Sequence, residues 1–138
     1  MAMEQDLVTR LLANPAVAAL AAAAVGWDQR PRGRIAPSVV LTLVSGVVDY
    51  RHDGADPVEM ARVQADFIGA DDEQLIQLEA AVRAVMESGD PIDGTVTGGT
   101  RFWPGERTRR AGPETEDLPD QQTLRRRYSE FEFYFQAI

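Results

Sequence analysis

The sequence contains no cysteine and no lysine, and it has one histidine among its 138 residues. The absence of cysteine excludes disulfide bonds, thiolate metal sites and cysteine nucleophiles. Arginine supplies all 14 of the Lys+Arg positions, against 22 acidic residues, so the formal net charge is −8. Because phosphate neutralisation supplies most non-specific affinity for nucleic acids, this charge disfavours a general nucleic-acid-binding protein.

Long apolar runs are also missing. The longest, residues 15–25, is far shorter than the ~20 residues that a membrane-spanning helix needs. A secretory signal fits poorly, because Glu4 and Asp6 occupy the place of its basic segment and Asn14-Pro15 interrupts the apolar stretch. We therefore expect a protein that is cytoplasmic at synthesis. The length predicts a single domain, residues 1–138, with a core of its own.

The stretch from residue 58 to residue 89 predicts a strand followed directly by a helix. Apolar residues alternate with polar ones in its first part, which gives a strand one apolar and one wet face. The apolar positions of that strand are Ala61, Val63, Ala65 and Phe67, and the outward row is Arg62, Gln64 and Asp66. After Gly69 the apolar spacing changes to three and four, as on one side of a helix. Asp71 and Gln74 fit a capping box, and Ser88-Gly89 fits a left-handed stop.

The other elements follow from similar patterns. Short helices are predicted at residues 4–13 and 15–24, the second capped by Asn14. Residues 26–37 form a basic connector with room for a short strand at its start. A central strand is predicted at residues 38–44 and its extension to Tyr50, and a turn at residues 51–57 joins it to the next strand as an antiparallel hairpin.

The C-terminal third predicts two further strands and a loop. Residues 94–103 indicate one strand, loosened by Gly98-Gly99, and alternating phenylalanines indicate a buried strand at the end of the chain. Residues 104–122 are polar and charged, and we expect them to form a mobile charged loop or an extended hairpin tip. The order α-α-β-β-α-β-β predicts an α+β domain with a mainly antiparallel sheet of about four strands and helices packed on one face.

Candidate catalytic groups do not form a recognisable constellation. His52-Asp53 resembles the dipeptide of metal phosphohydrolases, but the further histidines of such sites are missing. Asp49, Asp53 and Asp56 lack the spacing of a calcium loop. The segment GTVTGG at residues 94–99 lacks the GK[ST] of a phosphate loop and its strand–helix context. We therefore predict no catalytic residue, no cofactor and no metal, and a protein that is not an enzyme.

Other features favour assembly over catalysis. Tyr128 and Tyr134 alternate with Glu130 and Glu132 on the outward side of the last strand, and tyrosine is enriched in interface cores. The arginine runs at residues 107–110 and 125–127 flank an acidic run of similar size, which indicates ion pairing within the loop or between subunits as well as phosphate contacts.

The ordered set of these segments resembles the tail-terminator (tail-completion, minor tail) family of long-tailed bacteriophages and phage-like gene transfer agents. The resemblance lies in four segments: NPAVAAL at residues 14–20, PSVVLTLVSGVVDY at 37–50 with the HDG turn, ARVQADF at 61–67 with the helix that follows, and RRRYSEFEFY at 125–134. Residues 27–35 and 104–122 match little, so partner contacts cannot be transferred to them.

The resemblance implies a structural virion protein. Such proteins are expected to form a six-membered ring on the tail tube, to stop tube growth, and to join the tail to a head-side connector while DNA passes through the lumen without sequence-specific binding. The expected location is the neck or tail end of the particle, after assembly in the host cytoplasm. A negative lumen suits this role, because it repels the duplex. The expected interface residues are Arg62, Gln64, Asp66, Arg101, Arg107, Arg109, Arg110, Glu114, Glu116, Asp117, Arg126, Tyr128, Glu130, Glu132 and Tyr134.

Two alternatives stay open. One is another neck component, such as a head-side stopper or adaptor. The other is a small α+β enzyme or ligand-binding domain, in which His52, Glu130 or Glu132 would be needed for turnover and a pocket would gather polar groups.

Overall fold

The computed structural model describes residues 2–22, 24–28, 37–51, 54–117 and 123–138, without the side chains at 2, 47–51, 54–57, 113–117 and 123. His52 and Asp53 lie outside the described residues, and so do the side chains of Asp49 and Asp56. The elements in chain order are α1 (Ala2–Leu12), α2 (Pro15–Ala21), β1 (Val25–Trp27), β2 (Ser38–Arg51), β3 (Gly54–Gly69), α3 (Asp72–Met86), β4 (Thr95–Thr97), β5 (Thr100–Phe102), β6 (Glu106–Asp117) and β7 (Thr123–Ala137).

These strands form one mixed sheet of seven strands in the order β1-β2-β3-β7-β5-β4, with β6 also paired to β7. The β1–β2 pair is parallel, and the other pairs are antiparallel. The prediction of a mainly antiparallel sheet of about four strands with helices on one face was therefore wrong. Three of the seven strands, β1, β4 and β5, have only three residues each, which is too short to show a period of two.

In the C-terminal third, one predicted strand was wrong, and the structure distinguishes between the two alternatives predicted for the segment that follows it. The single strand predicted at residues 94–103 is a hairpin of β4 and β5, which turns at Gly98 with a φ of 59°. Residues 106–117 form β6 and pair antiparallel along β7, which fits the predicted extended hairpin rather than the loop; residues 118–122 lie outside the described residues. A polar segment can do this at a sheet edge, because ladder hydrogen bonds use the backbone and leave charged side chains in solvent.

The core confirms the predicted alternation of β3 and β7. Ala61, Val63, Phe67, Phe131 and Phe133 are each at most 2% exposed. They pack in one cluster with residues of all three helices. Burial of each phenylalanine contributes about 1.5–3 kcal/mol by area, so these two strands and the helices against them stabilise most of the domain.

Helix α3 has the predicted ends. Oδ1 of Asp71 accepts a hydrogen bond from the Gln74 amide at 2.8 Å. Oε1 of Gln74 accepts from the Ala70 amide at 2.9 Å, so the return bond of the capping box lies one residue earlier than expected. At the other end, Gly89 has a φ of 109°, in the left-handed region that stops a helix.

Arg10 connects α1 to the C-terminal end of α3. Its Nη2 donates hydrogen bonds to the carbonyl oxygens of Val85 and Ser88, both at 3.0 Å, and its guanidinium lies 5.2 Å from the centre of the Phe102 ring. Burial lowers the pKa of Arg10. The cation sits at the negative end of the helix dipole and adds a charged donor to the Val85 carbonyl, which also accepts hydrogen bonds from the amide and the hydroxyl of Ser88.

Candidate assembly surfaces

The strand β7 divides the candidate residues between two faces of the sheet. Phe131 and Phe133 point into the core, and this side is called the core face. Glu130 and Glu132 alternate with them and pair in register with Gln64 and Arg62 of β3, so these four residues lie on the opposite side, called the charged face. The sequence pattern had predicted this division.

Arg62 is the centre of a charge ladder on the charged face. Its Nε lies 3.2 Å from Oε1 of Glu130, and its Nη2 lies 3.6 Å from Oε2 of Glu132. Residues predicted as an interface on two separate strands therefore contact each other within one subunit. The Arg62 side chain is 40% exposed, so the pairs stabilise the fold only slightly and hold their carboxylates in fixed positions.

A second charge group lies further along the same face. Asp66 is only 9% exposed. It accepts a hydrogen bond from Nε2 of Gln64 at 3.3 Å, and Nη2 of Arg126 lies 3.7 Å from its carboxylate.

Beside Asp66, Ile68 and Leu124 form a small apolar cluster with Val40, which the outward-row pattern did not predict. Tyr128 pairs with Asp66 in register and is half-buried, whereas Tyr134, at the far end, is 51% exposed.

A β-bulge in β6 changes which arginines share a face. The register with β7 shifts between Arg107 and Arg109, so Arg107 lies opposite Phe131, Arg109 opposite Glu130 and Arg110 opposite Ser129. The extra residue, Thr108, reverses the alternation. Arg107 and Arg110 therefore both point to the core face, and Arg109 lies on the charged face.

On the core face these two arginines meet Glu79 of α3, which is 5% exposed. Oε1 of Glu79 accepts a hydrogen bond from Nη1 of Arg107 at 3.1 Å and lies 4.0 Å from Nη1 of Arg110. Nε of Arg127 lies 3.0 Å from the other oxygen, Oε2. Among the described residues, neither Nε of Arg127 nor Oε2 of Glu79 has a hydrogen-bond partner, so this contact is an ion pair without hydrogen-bond geometry.

Glu79 and Arg127 were absent from the predicted interface set. The sequence does carry a signal for Glu79, because it stands four residues after Leu75 on the apolar side of α3. A carboxylate at such a position needs a buried cation. Which cation would meet it depends on the fold, since Arg107 and Arg127 belong to distant parts of the chain.

The cluster opens into a groove of about 470 Å³ between α3 and the β6–β7 hairpin. Ile76, Ala80 and Ala84 form its apolar wall, and Arg83, whose Nε lies 3.0 Å from Oε1 of Glu87, forms its rim. Four guanidinium groups and two carboxylates line this groove. It is a cationic groove in a strongly acidic chain, and it is called the arginine groove below.

The remaining predicted interface residues lie apart from the groove. Nη1 of Arg101 donates to the Asp93 carbonyl at 3.2 Å. Glu114, Glu116 and Asp117 lie in β6 by their backbone, but their side chains are outside the described residues. The structure thus brings together Arg62, Glu130 and Glu132, and separately Gln64, Asp66 and Arg126. Their part in a subunit interface stays a prediction.

Within residues 2–22, 24–28, 37–51, 54–117 and 123–138, no group of three or more His, Asp or Glu side chains is placed to hold a metal ion. No helix in these ranges is long and apolar enough to cross a bilayer.

Comparison with known proteins assigns the chain to a family. The family model described as "Tail completion protein gp17" matches residues 5–133. No curated protein matches the sequence. Among solved structures, the fold is similar to a chain of the "Virion of native gene transfer agent (GTA) particle", with a TM-score of 0.61 and 20% identity over 95% of this chain and 92% of that chain. The chain therefore belongs to the tail completion protein family, and it is a structural tail-completion protein.

Proposed function

We propose that copies of this chain form a closed ring, with six members, on the last ring of tail-tube subunits. The ring stops tube growth, binds the head-side connector and lets DNA pass through its lumen. It acts through contact surfaces and has no catalytic step.

The observation that carries this proposal is the edge strand β6. It is paired with β7 on one side, over residues 106–117, and its charges are segregated along its length: ERTRR at residues 106–110 is basic, and ETED at 114–117 is acidic. A surface with opposite charges at its two ends favours head-to-tail contacts between identical subunits, and such contacts form a ring when the rotation from one subunit to the next closes.

The charged face has the charge expected of a surface along which DNA moves without binding. Arg62 lies against Glu130 and Glu132, and Arg126 lies against Asp66. Arg109 and Glu106 of β6 pair in register with Glu130 and Glu132, so three arginines and four carboxylates lie on this part of the charged face, which has a net negative charge. Because cations already held by carboxylates gain little from a phosphate, the face should repel the duplex and let it slide.

The test is a particle preparation in which this chain is deleted, compared with one in which it is supplied from a plasmid. The proposal predicts tails of irregular length that are not joined to heads, and restoration by the plasmid. Tails of normal length joined to heads in the deletion would refute it.

Imaging of the complemented particles with a label on the chain gives the position and the stoichiometry. A six-fold ring between the tube and the connector supports the proposal. A label on the head side of the connector would instead support the stopper hypothesis.

A further inference from the structure

The arginine groove holds more positive charge than the carboxylates that line it. Four guanidinium groups and two carboxylates form its lining. Three of these guanidinium groups share the single carboxylate of Glu79. Arg110 reaches that carboxylate only at 4.0 Å, and its side chain is 53% exposed. Because a guanidinium binds a carboxylate most strongly through two parallel hydrogen bonds, Arg110 has the capacity to bind a further carboxylate.

Two buried atoms of the groove also indicate a missing ligand. The side chains of Arg127 and Glu79 are 11% and 7% exposed. Among the described residues, Nε of Arg127 and Oε2 of Glu79 have no hydrogen-bond partner, although they lie 3.0 Å apart. Buried polar atoms without hydrogen bonds cost stability. A second carboxylate that binds Arg110 removes one competitor for Glu79, so that Glu79 can align with Arg127.

The opposite wall of the groove is apolar and follows one line of α3. Ile76, Ala80 and Ala84 stand four residues apart, so they form a ridge about 12 Å long on one side of the helix. Ile76 is 54% exposed. Beyond Ala80 the ridge borders an open groove along α2, lined by Ala16, Ala19 and Leu20. A segment that lies along α3 can therefore bury apolar side chains on the ridge while its carboxylates face the arginines.

This combination favours a protein segment over DNA. The side chains of Arg107 and Arg127 are only 19% and 11% exposed, so a single side chain can approach them but a rigid duplex cannot. The apolar ridge contributes nothing to the binding of a phosphate backbone, whose affinity comes from charge neutralisation. The ridge does contribute to the binding of a segment that carries apolar side chains.

The ion pairs of this chain favour a different protein over a second copy as the source of that segment. Several carboxylates on the described elements already have cations within the subunit: Asp72 is bound by Arg125, and Asp66 lies against Arg126. A second copy that offered such a carboxylate would exchange one ion pair for another, with little net gain. A protein whose carboxylates are unpaired gains the whole contact.

We infer that the arginine groove binds an acidic, amphipathic segment of another protein of the particle. A carboxylate of that segment binds Arg110, and its apolar side chains pack on Ile76, Ala80 and Ala84. The inference rests on the proposed function, which places the chain against other particle proteins, and it names the surface that one of them binds.

The first experiment measures binding of a defined probe to the purified full chain. The probe is a short fluorescent peptide of glutamate and leucine, and its fluorescence anisotropy reports binding. We expect Arg110→Gln to weaken binding about tenfold or more, as for other close interfacial charge pairs. The matched control, Arg109→Gln, removes the same charge one residue away on the charged face and should change binding less than about threefold. Circular dichroism checks that both variants are folded.

Four results of this experiment would overturn the inference. The first is no binding of the glutamate peptide, and the second is equal binding of a peptide with glutamine in place of glutamate. The third is an equal effect of Arg110→Gln and Arg109→Gln. The fourth is a duplex oligonucleotide that displaces the probe as effectively as the unlabelled peptide does, which would make the groove a phosphate site.

The second experiment tests the partner in assembled particles. Arg110→Glu should lower the yield of joined particles about tenfold or more, and Arg109→Glu should change it less than about threefold. In the Arg110→Glu background, the acidic residues of the other particle proteins are then changed singly to lysine, and one of these changes should restore the yield. A normal yield from Arg110→Glu would overturn the inference. Restoration by none of these changes, or only by a change at an acidic residue of this chain, would also overturn it.

The purified chain separates this inference from the proposed function. A six-fold ring in wild-type particles, together with no peptide binding by the purified chain, refutes the groove contact and leaves the ring in place. If deletion of the chain leaves tails of normal length joined to heads, the proposed function fails, and the groove contact with a particle protein fails with it.

Discussion

Glu79 is the residue whose replacement tests the electrostatics of the arginine groove most directly. Glu79→Gln keeps the size of the side chain and removes the charge on which Arg107, Arg110 and Arg127 converge. The amide can still accept the hydrogen bond from Arg107, so a loss of stability measures mainly the missing counterion.

The size of the effect follows from burial. Removal of one member of a buried ion pair costs about 3–5 kcal/mol, because it leaves the other charge uncompensated. Arg107 and Arg127 keep 19% and 11% of their side-chain exposure, and this water recovers part of the cost. We expect a decrease of about 2–3 kcal/mol in the free energy of unfolding, which is a Tm lower by about 8–12 °C for a domain of this size.

Arg110→Gln is the matched comparison. It removes one of three cations that share a carboxylate, from a side chain that is 53% exposed, so the free energy of unfolding should change by less than about 0.5 kcal/mol. Urea unfolding followed by circular dichroism measures both variants, with equal slopes confirming a common unfolding transition. Repeating the series in 1 M NaCl should reduce the loss for Glu79→Gln, because ions that enter the open groove screen the arginines.

Two results would refute this account of the groove. If the free energy of unfolding of Glu79→Gln were within about 0.5 kcal/mol of the wild-type value, the change would be no larger than that of an ordinary surface substitution. Equal losses for Glu79→Gln and Arg110→Gln would show that the three arginines do not compete for one counterion.

Three further predictions concern the scaffold. Arg10→Met should lower the free energy of unfolding by about 2 kcal/mol, because it removes the charged donor from two carbonyl groups at the end of α3. Thermal unfolding measures this loss, and a change below about 0.5 kcal/mol would contradict the prediction. Asp71→Ala should cost about 1 kcal/mol through loss of the N-cap, whereas Asp71→Ser should cost less, by the same measurement. Backbone hydrogen bonds from Ile92 and Asp93 lower the pKa of Asp90. Its carboxylate therefore stabilises the fold above the unfolded-state pKa of about 3.9, and this stability is lost as the pH falls through the lower folded-state value. Asp90→Ala should show a smaller drop in Tm from pH 6 to pH 3 than the wild type, and identical drops would argue against these hydrogen bonds.

The charged face shows how far sequence patterns can locate a surface. The period of two placed Arg62, Glu130 and Glu132 on outward positions, and the structure brings them together because β3 and β7 are neighbours. The sequence did not show that neighbourhood, since the two strands are separated by α3 and three other strands. Arg62, Glu130 and Glu132 therefore contact one another within the subunit. Their predicted contacts with a neighbouring subunit stay a prediction.

The sequence by itself determined the features that depend on near neighbours in the chain. The alternating apolar residues of β3 and β7 and the caps of α3 are set by hydrogen bonds and side-chain periods over a few residues, and the ordered segments were sufficient to indicate the family. The number and order of strands were not determined, because pairing of β1, β4 and β6 depends on backbone groups of distant segments rather than on a local pattern.

Only the tertiary structure decided the arginine groove. Regular alternation along β6 would place Arg107 and Arg109 on one face and Arg110 on the other. The bulge at Thr108 reverses this order, so Arg107 and Arg110 meet Glu79 together with Arg127. A one-residue shift of register moves a side chain from one face of a sheet to the other, and that shift is fixed by the pairing with β7 rather than by the residues of β6 alone.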